Sequence, residues 1–102
     1  MSVVRISLGR FDANNYDAIR DRLAESQAIL APAIRALKGN IAFYAGIDHE
    51  HCVMQNTSVW ETVADAKQLD TLQAMLDLAK VFTEAGIRFE RPITNHETLW
   101  VV

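Results

Sequence analysis

Apolar residues repeat along this chain with a period that switches between two and 3.6, and the order of those switches restricts the fold most. Val4, Ile6 and Leu8 share one face of a strand predicted over residues 3–11; Val3, Arg5, Ser7 and Phe11 share the other. Asp12, Asn14 and Asn15 offer caps for a helix beginning near Tyr16. Tyr16, Ile19, Leu23, Leu30, Ile34 and Leu37 then form a helical stripe, which Gly39 is placed to stop. Pro32 inside that stripe has no N–H for the Ala28 carbonyl, so a kink or break is expected there. Period two returns over 41–47 and 52–60, and the short polar link Asp48-His49-Glu50 makes these an antiparallel hairpin. Thr62 and Asp65 open a second helix with the stripe Ala66, Leu69, Leu72, Leu76, Ala79 and Phe82, widened by Met75 and Leu78. Gly86 and Ile87 are spaced for a Schellman stop. Beyond Phe89, Pro92 confines the chain to an edge or loop, and 98–102 is expected to form a last strand.

The order β-α-β-β-α-β predicts an α+β, ferredoxin-like fold: a four-stranded antiparallel sheet with two helices on one face. Residues 1–102 form one domain on this reading, since 11.4 kDa supports one core and a folded surface of about 5,800 Å². Half of the residues are hydrophobic and 23% are charged, which excludes disorder and fibrous repeats. A net charge of −3 excludes general nucleic-acid binding, because no basic excess meets the phosphates. No apolar run approaches the ~20 residues of a membrane span, and the amino-terminal segment lacks the apolar core of a signal peptide. The single cysteine, Cys52, excludes an intramolecular disulfide framework and suits a reducing cytoplasmic setting.

Two helices cover one face of such a sheet, and the other face is expected to be polar if it meets water. Here both parities of the strands carry large apolar residues, and Phe43 and Tyr44 point opposite ways. An uncovered apolar face is unusual in a monomer, so a homodimer packed sheet to sheet is expected, with Trp100 and its neighbours contributing.

The stretch Lys38-Gly-Asn-Ile-Ala-Phe-Tyr-Ala-Gly-Ile-Asp, the strand Val53-Met-Gln-Asn-Thr-Ser-Val-Trp-Glu-Thr and the Ala-rich helix after it resemble the dimeric α+β barrel superfamily. Within it they resemble the antibiotic-biosynthesis-monooxygenase-like group. The resemblance spans nearly the whole chain without resting on one defining motif. It implies a homodimer with small pockets between sheet and helices. It also implies a cofactor-free monooxygenase acting on a small aromatic or polyketide-like compound, or else a non-catalytic ligand-binding or structural homodimer. Quinone-forming members of this kind use an Asn and a Trp on a strand, which maps onto Asn56 and Trp60. Haem-degrading members use a histidine on the second helix, and this chain has none between Trp60 and Asn95.

Asn56 and Trp60, four apart on one strand, face the same side with Cys52, Met54 and Ser58. An amide can hold a phenol or phenolate oxygen, and an indole can flank an aromatic ring. Equally, Trp60 fits a core aromatic and Asn56 a satisfied polar group. His96, near the last strand, is a candidate acid or base, or a hydrogen-bonded strand histidine. Arg5, Tyr44 and Met54 complete the set as substrate-binding candidates, Arg5 suiting a carboxylate or phenolate or an acidic partner residue. His49, His51 and Cys52 are the one cluster with metal-binding side chains, but a strand places Cys52 opposite the two imidazoles, and a solvated hairpin tip explains them as well. No metal or cofactor is therefore expected.

Overall fold

β1 (Val3–Arg10) is an inner strand of the sheet, with partners on both sides. The computed structural model describes residues 2–102. On one side β1 runs antiparallel to β3 (Val53–Trp60), from Val3 opposite Trp60 to Arg10 opposite Val53. β2 (Asn40–Asp48) lies outside β3 as the far arm of the hairpin, with a bulge between Asn40 and Ala42. On the other side of β1 the fourth position is shared. β4 (Arg88–Phe89) pairs with Gly9 and Arg10, and β5 (Thr94–Glu97) pairs with Val3 to Ile6. The two are separate because Pro92, in the loop between them, has no N–H for the ladder. The sheet is therefore the expected antiparallel one, with its edge strand in two pieces.

The helical layer is more broken than the stripes predicted. α1 (Tyr16–Glu25) and α2 (Gln27–Arg35) are separate helices, and the interruption is at Ser26, not at Pro32. Ser26 is buried and its hydroxyl donates to the Leu23 carbonyl at 2.6 Å, a local bond that competes with the regular ladder. α2 passes through Pro32; the Ala28 carbonyl it leaves free belongs to an exposed residue that water reaches. α2 also ends at Arg35, earlier than Gly39, whose φ of +76° serves the turn into β2. The second stripe is divided into α3 (Val63–Ala66), a 3-10 turn at Lys67–Asp70, and α4 (Gln73–Glu84). Gln68 donates its side-chain amide to the Asp65 and Lys38 carbonyls, at 2.7 Å each, so one helical acceptor is already engaged where the coil tightens. The termini follow expectation. Thr62 Oγ1 caps α3 by accepting from Asp65 N–H, and α4 ends in a Schellman motif, with Ile87 N–H on Phe82 O and Gly86 N–H on Thr83 O.

The last strand is displaced from its expected place at 98–102. Thr98 still donates to Ser2 O, but β1 begins at Val3, and Leu99 to Val102 lie outside the ladder and are exposed. The total surface of 6475 Å² exceeds the expected area of about 5,800 Å² for this mass. That excess fits a chain with an uncovered sheet face and a protruding apolar end.

Period two on the strands separates the sheet's faces as read from the sequence. Val3, Arg5, Ser7 and Gly9 of β1 and Met54, Asn56, Ser58 and Trp60 of β3 look toward the helices. Val4, Ile6, Leu8, Tyr44 and Val59 look away. Under the helices are two apolar cores. One holds Phe11, Ile19, Met54, Phe82 and Ile87; the other holds Leu30, Ile34, Trp60, Ala66 and Leu69. Each fully buried large side chain among them contributes about 1.5–3 kcal/mol. Leu78 packs against both cores, and residues of both border the cavity described next.

Candidate active site

A cavity of about 770 Å³ lies between the helix-facing side of the sheet and α1, α2 and α4. Met54 and Phe82 border it from one core, Leu30 and Ile34 from the other. Its size suits a bicyclic or tricyclic organic molecule, and its wall is mainly aliphatic and aromatic with polar side chains, four of them arginines, set among these.

Asn56 sits mid-strand in β3, with Ser7 of β1 on one side and Ala45 of β2 on the other, and it lines the cavity. Small neighbours on both sides leave the amide uncrowded. Its Oδ1 is buried and has no hydrogen-bond partner within the protein. A buried polar atom left unmatched costs about 1–3 kcal/mol, so a partner supplied from the cavity would remove a standing penalty. Met54, two residues before it, forms part of the apolar wall. Arg5 lines the floor at 3% exposure, and its Nη2 donates to Asp70 Oδ1 at 2.9 Å. The carboxylate comes from the 3-10 turn under the helices, not from across the sheet. The pair holds a charged guanidinium inside the apolar layer, where it would otherwise be costly to bury.

Trp60 shares the face of Asn56 but does not reach the cavity. It is fully buried, and its Nε1 donates to Ser58 Oγ at 2.8 Å. Tyr44 and His96 lie on the opposite face of the sheet. Tyr44 is 62% exposed, and His96, paired with Val4 on the edge, hydrogen-bonds through Nε2 to Thr94 Oγ1 at 2.8 Å. Period two dictates this: Tyr44 has the parity opposite Phe43, which does line the cavity. The structure thus brings Arg5, Met54 and Asn56 together and leaves Trp60, Tyr44 and His96 outside the cavity.

The hairpin tip is held by its own contacts. His49 stacks on Tyr16 with ring centroids 3.9 Å apart, His51 Nδ1 bonds Asp48 Oδ2 at 2.8 Å, and Cys52 takes a φ of 55° in the turn. The His51 ring and then its backbone N–H hold the Asp48 carboxyl below its ordinary value. Among the described residues, no three His, Cys, Asp or Glu side chains come together as a metal site.

The sequence also carried a signal that patterning by hydrophobicity alone passes over. Arg20, Ala24, Gln27, Ala31 and Arg35 recur at three- and four-residue spacing, and all five line the cavity. They form a second row beside the core stripe of α1 and α2, with small residues leaving space and an arginine toward each end. Arg91, from the loop between β4 and β5, lines the cavity as well.

No protein-family model matches the chain, and comparison with curated proteins gives no match either. Solved structures do share its fold. A candidate antibiotic biosynthesis monooxygenase from Nitrosomonas europaea superposes with a TM-score of 0.74 at 14% identity, covering 97% of this chain and 91% of its own. SnoaB, a cofactor-independent oxygenase from Streptomyces nogalater, gives 0.70 at 10% identity, covering 99% and 96%. A dimeric ferredoxin-like protein of unknown function from Jannaschia sp. CCS1 gives 0.70 at 14% identity, covering 96% and 100%. The chain therefore shares the ferredoxin-like fold of these structures.

Proposed function

We propose that the protein is a small cofactor-independent monooxygenase acting on a small aromatic or polyketide-like compound, with Asn56 orienting the substrate oxygen. The observation that carries this reading is the unmatched, buried Asn56 Oδ1 at the wall of an apolar cavity of aromatic size. The likeness of the fold to a cofactor-independent oxygenase supports it. The chemistry is balanced without a co-reductant. A doubly activated methylene, ionised to its carbanion, gives its electrons to O₂. A carbon–oxygen bond forms, the O–O bond breaks, the methylene becomes a carbonyl, and the second oxygen leaves as water. All four electrons come from the substrate. Asn56 would hold the substrate's phenolic oxygen and so place the reacting carbon, while the apolar wall keeps bulk water from the carbanion.

One observation favours a second reading, a ligand-binding protein without catalysis. The cavity wall carries no carboxylate, imidazole or lysine among the described residues, so no side chain there is suited to abstract a proton at neutral pH. An oxygen electrode separates the two. Desalted protein with a panel of anthrones should consume one O₂ per quinone formed, and Asn56→Ala should slow this about tenfold or more while the thermal midpoint is held. Saturable binding with no oxygen uptake by any of them would favour the binding protein.

We also propose that the protein is a homodimer. Val4, Ile6, Leu8, Val59 and Tyr44 occupy a sheet face with no helix over it, and Leu99 to Val102 project beyond the sheet, with Trp100 80% exposed. A second copy covering both would bury an apolar surface that a monomer leaves in water.

A further inference from the structure

Four of the chain's seven arginines line the cavity, and none of its thirteen acidic residues does. This is the reverse of the chain's overall balance, which is net negative. The four differ in how far they are already engaged. Arg5 is paired with Asp70, and Arg20 with Asp21 at 3.1 Å. Arg91 donates to the Glu90 carbonyl and lies over the Phe89 ring at 5.2 Å, with no carboxylate partner. Arg35 makes no ion pair or side-chain hydrogen bond among the described residues. Arg35 follows Ile34, which packs in the core that Phe43 joins; Phe43 lies opposite Ser58, and Ser58 opposite Arg5. Arg5 is thus fixed in the floor by its carboxylate partner, while Arg35 is an exposed residue bordering the cavity.

We infer that the cavity takes its ligand as an anion, a phenolate, enolate or carboxylate on an apolar body that keeps a hydroxyl for Asn56 Oδ1, selected by the exposed guanidiniums of Arg35 and Arg91 that border the cavity. This rests on the cavity being the site proposed above, and it accounts for the missing base. An acidic phenol or methylene need not lose its proton to a side chain if the site favours the ionised form it reaches in water. Guanidiniums do this with donors that never lose their own protons. The apolar remainder of the wall works the other way, since burial alone favours the neutral form of a phenol. The two effects have opposite signs, and a titration reads which one wins.

The probe is 4-nitrophenol, whose phenolate absorbs in the visible while the neutral phenol does not. Its absorbance is followed against pH with and without excess protein. The bound probe should ionise about one unit lower than the free probe, a preference for phenolate of about tenfold. Arg35→Gln and Arg91→Gln should each remove part of that shift. Arg22→Gln, which deletes an equal charge from α1 away from the cavity, should leave it intact. An upward shift, no shift on binding, or a full shift retained in both Arg35→Gln and Arg91→Gln overturns anion selection while leaving the cavity as a small-molecule site. Failure of both forms to bind at millimolar protein overturns the site and the selection together.

Discussion

Asn56 and Trp60 share one face of β3, four residues apart, yet the indole is sealed in a core while the amide opens on a cavity. The difference lies in what stands beyond each. Leu30, Ile34, Ala66 and Leu69 close over Trp60, whereas Ser7, Ala45, Ala24 and Ala31 stop short of Asn56. Trp60 is accordingly structural, and its partner Ser58 can be tested alone. Ser58→Ala leaves the buried indole N–H unmatched and should cost about 1–3 kcal/mol in urea unfolding, with ligand binding at the cavity unchanged. Trp60→Ala should cost about 3–5 kcal/mol as a cavity mutation in the core.

Gly86 takes a φ of +106° in the Schellman turn that ends α4. A Cβ there would also stand 2.9 Å from Asn15 Nδ2. Gly86→Ala should therefore lower stability by about 1–3 kcal/mol, read from the urea midpoint, and Gly86→Asn should lose less.

The hairpin tip carries a small pH dependence of defined sign. The His51 hydrogen bonds hold the Asp48 carboxyl below its ordinary value of 3.8. A depressed folded pKa gives a contribution fully present above the unfolded pKa and lost as pH falls through the folded one. A carboxyl-carbon NMR titration should find Asp48 ionising below 3.8. His51→Ala should bring it back toward that value, and an unmoved Asp48 would show that the bond is not formed in solution.

Sedimentation equilibrium at micromolar concentration should give about twice 11.4 kDa. Tyr44→Asp and Trp100→Asp should each shift the molecule toward monomer, because each places a charge on the uncovered face or on the projecting end. Trp100 is 80% exposed within one chain, so its replacement should leave the monomer's own fold in place. A concentration-independent monomer would contradict the dimer.

The fold was legible because the alternation of periods is a property of single residues and survives without knowledge of their partners. The two faces of β1 and β3 were readable for the same reason. What escaped was set by side chains bonding to nearby backbone, as with Ser26 on Leu23 and Gln68 on Asp65, which divide helices that apolar stripes show as continuous. The displaced last strand escaped because its place depends on where β1 begins, a long-range fact. Around the cavity, Arg5, Met54 and Asn56 carry the strand parity that points to the helices. Tyr44 and His96 were chosen for their chemistry, and the sheet turns both to the other face. Arg35 and Arg91 are exposed charged residues of a helix and a loop, a pattern that by itself gives no sign of the space they border.

The measurement closest to the central claim follows the side-chain amide of Asn56 by ¹H–¹⁵N NMR while a phenolic ligand is titrated. If the cavity is the ligand site and the Asn56 amide meets its oxygen, Oδ1 accepting from a hydroxyl or Nδ2 donating to a phenolate, the Asn56 NH₂ pair shifts saturably, together with the backbone amides of Ser7 and Ala45. Saturable binding that leaves those resonances in place and moves Tyr44 and His96 instead would put the ligand on the other face of the sheet and contradict the account.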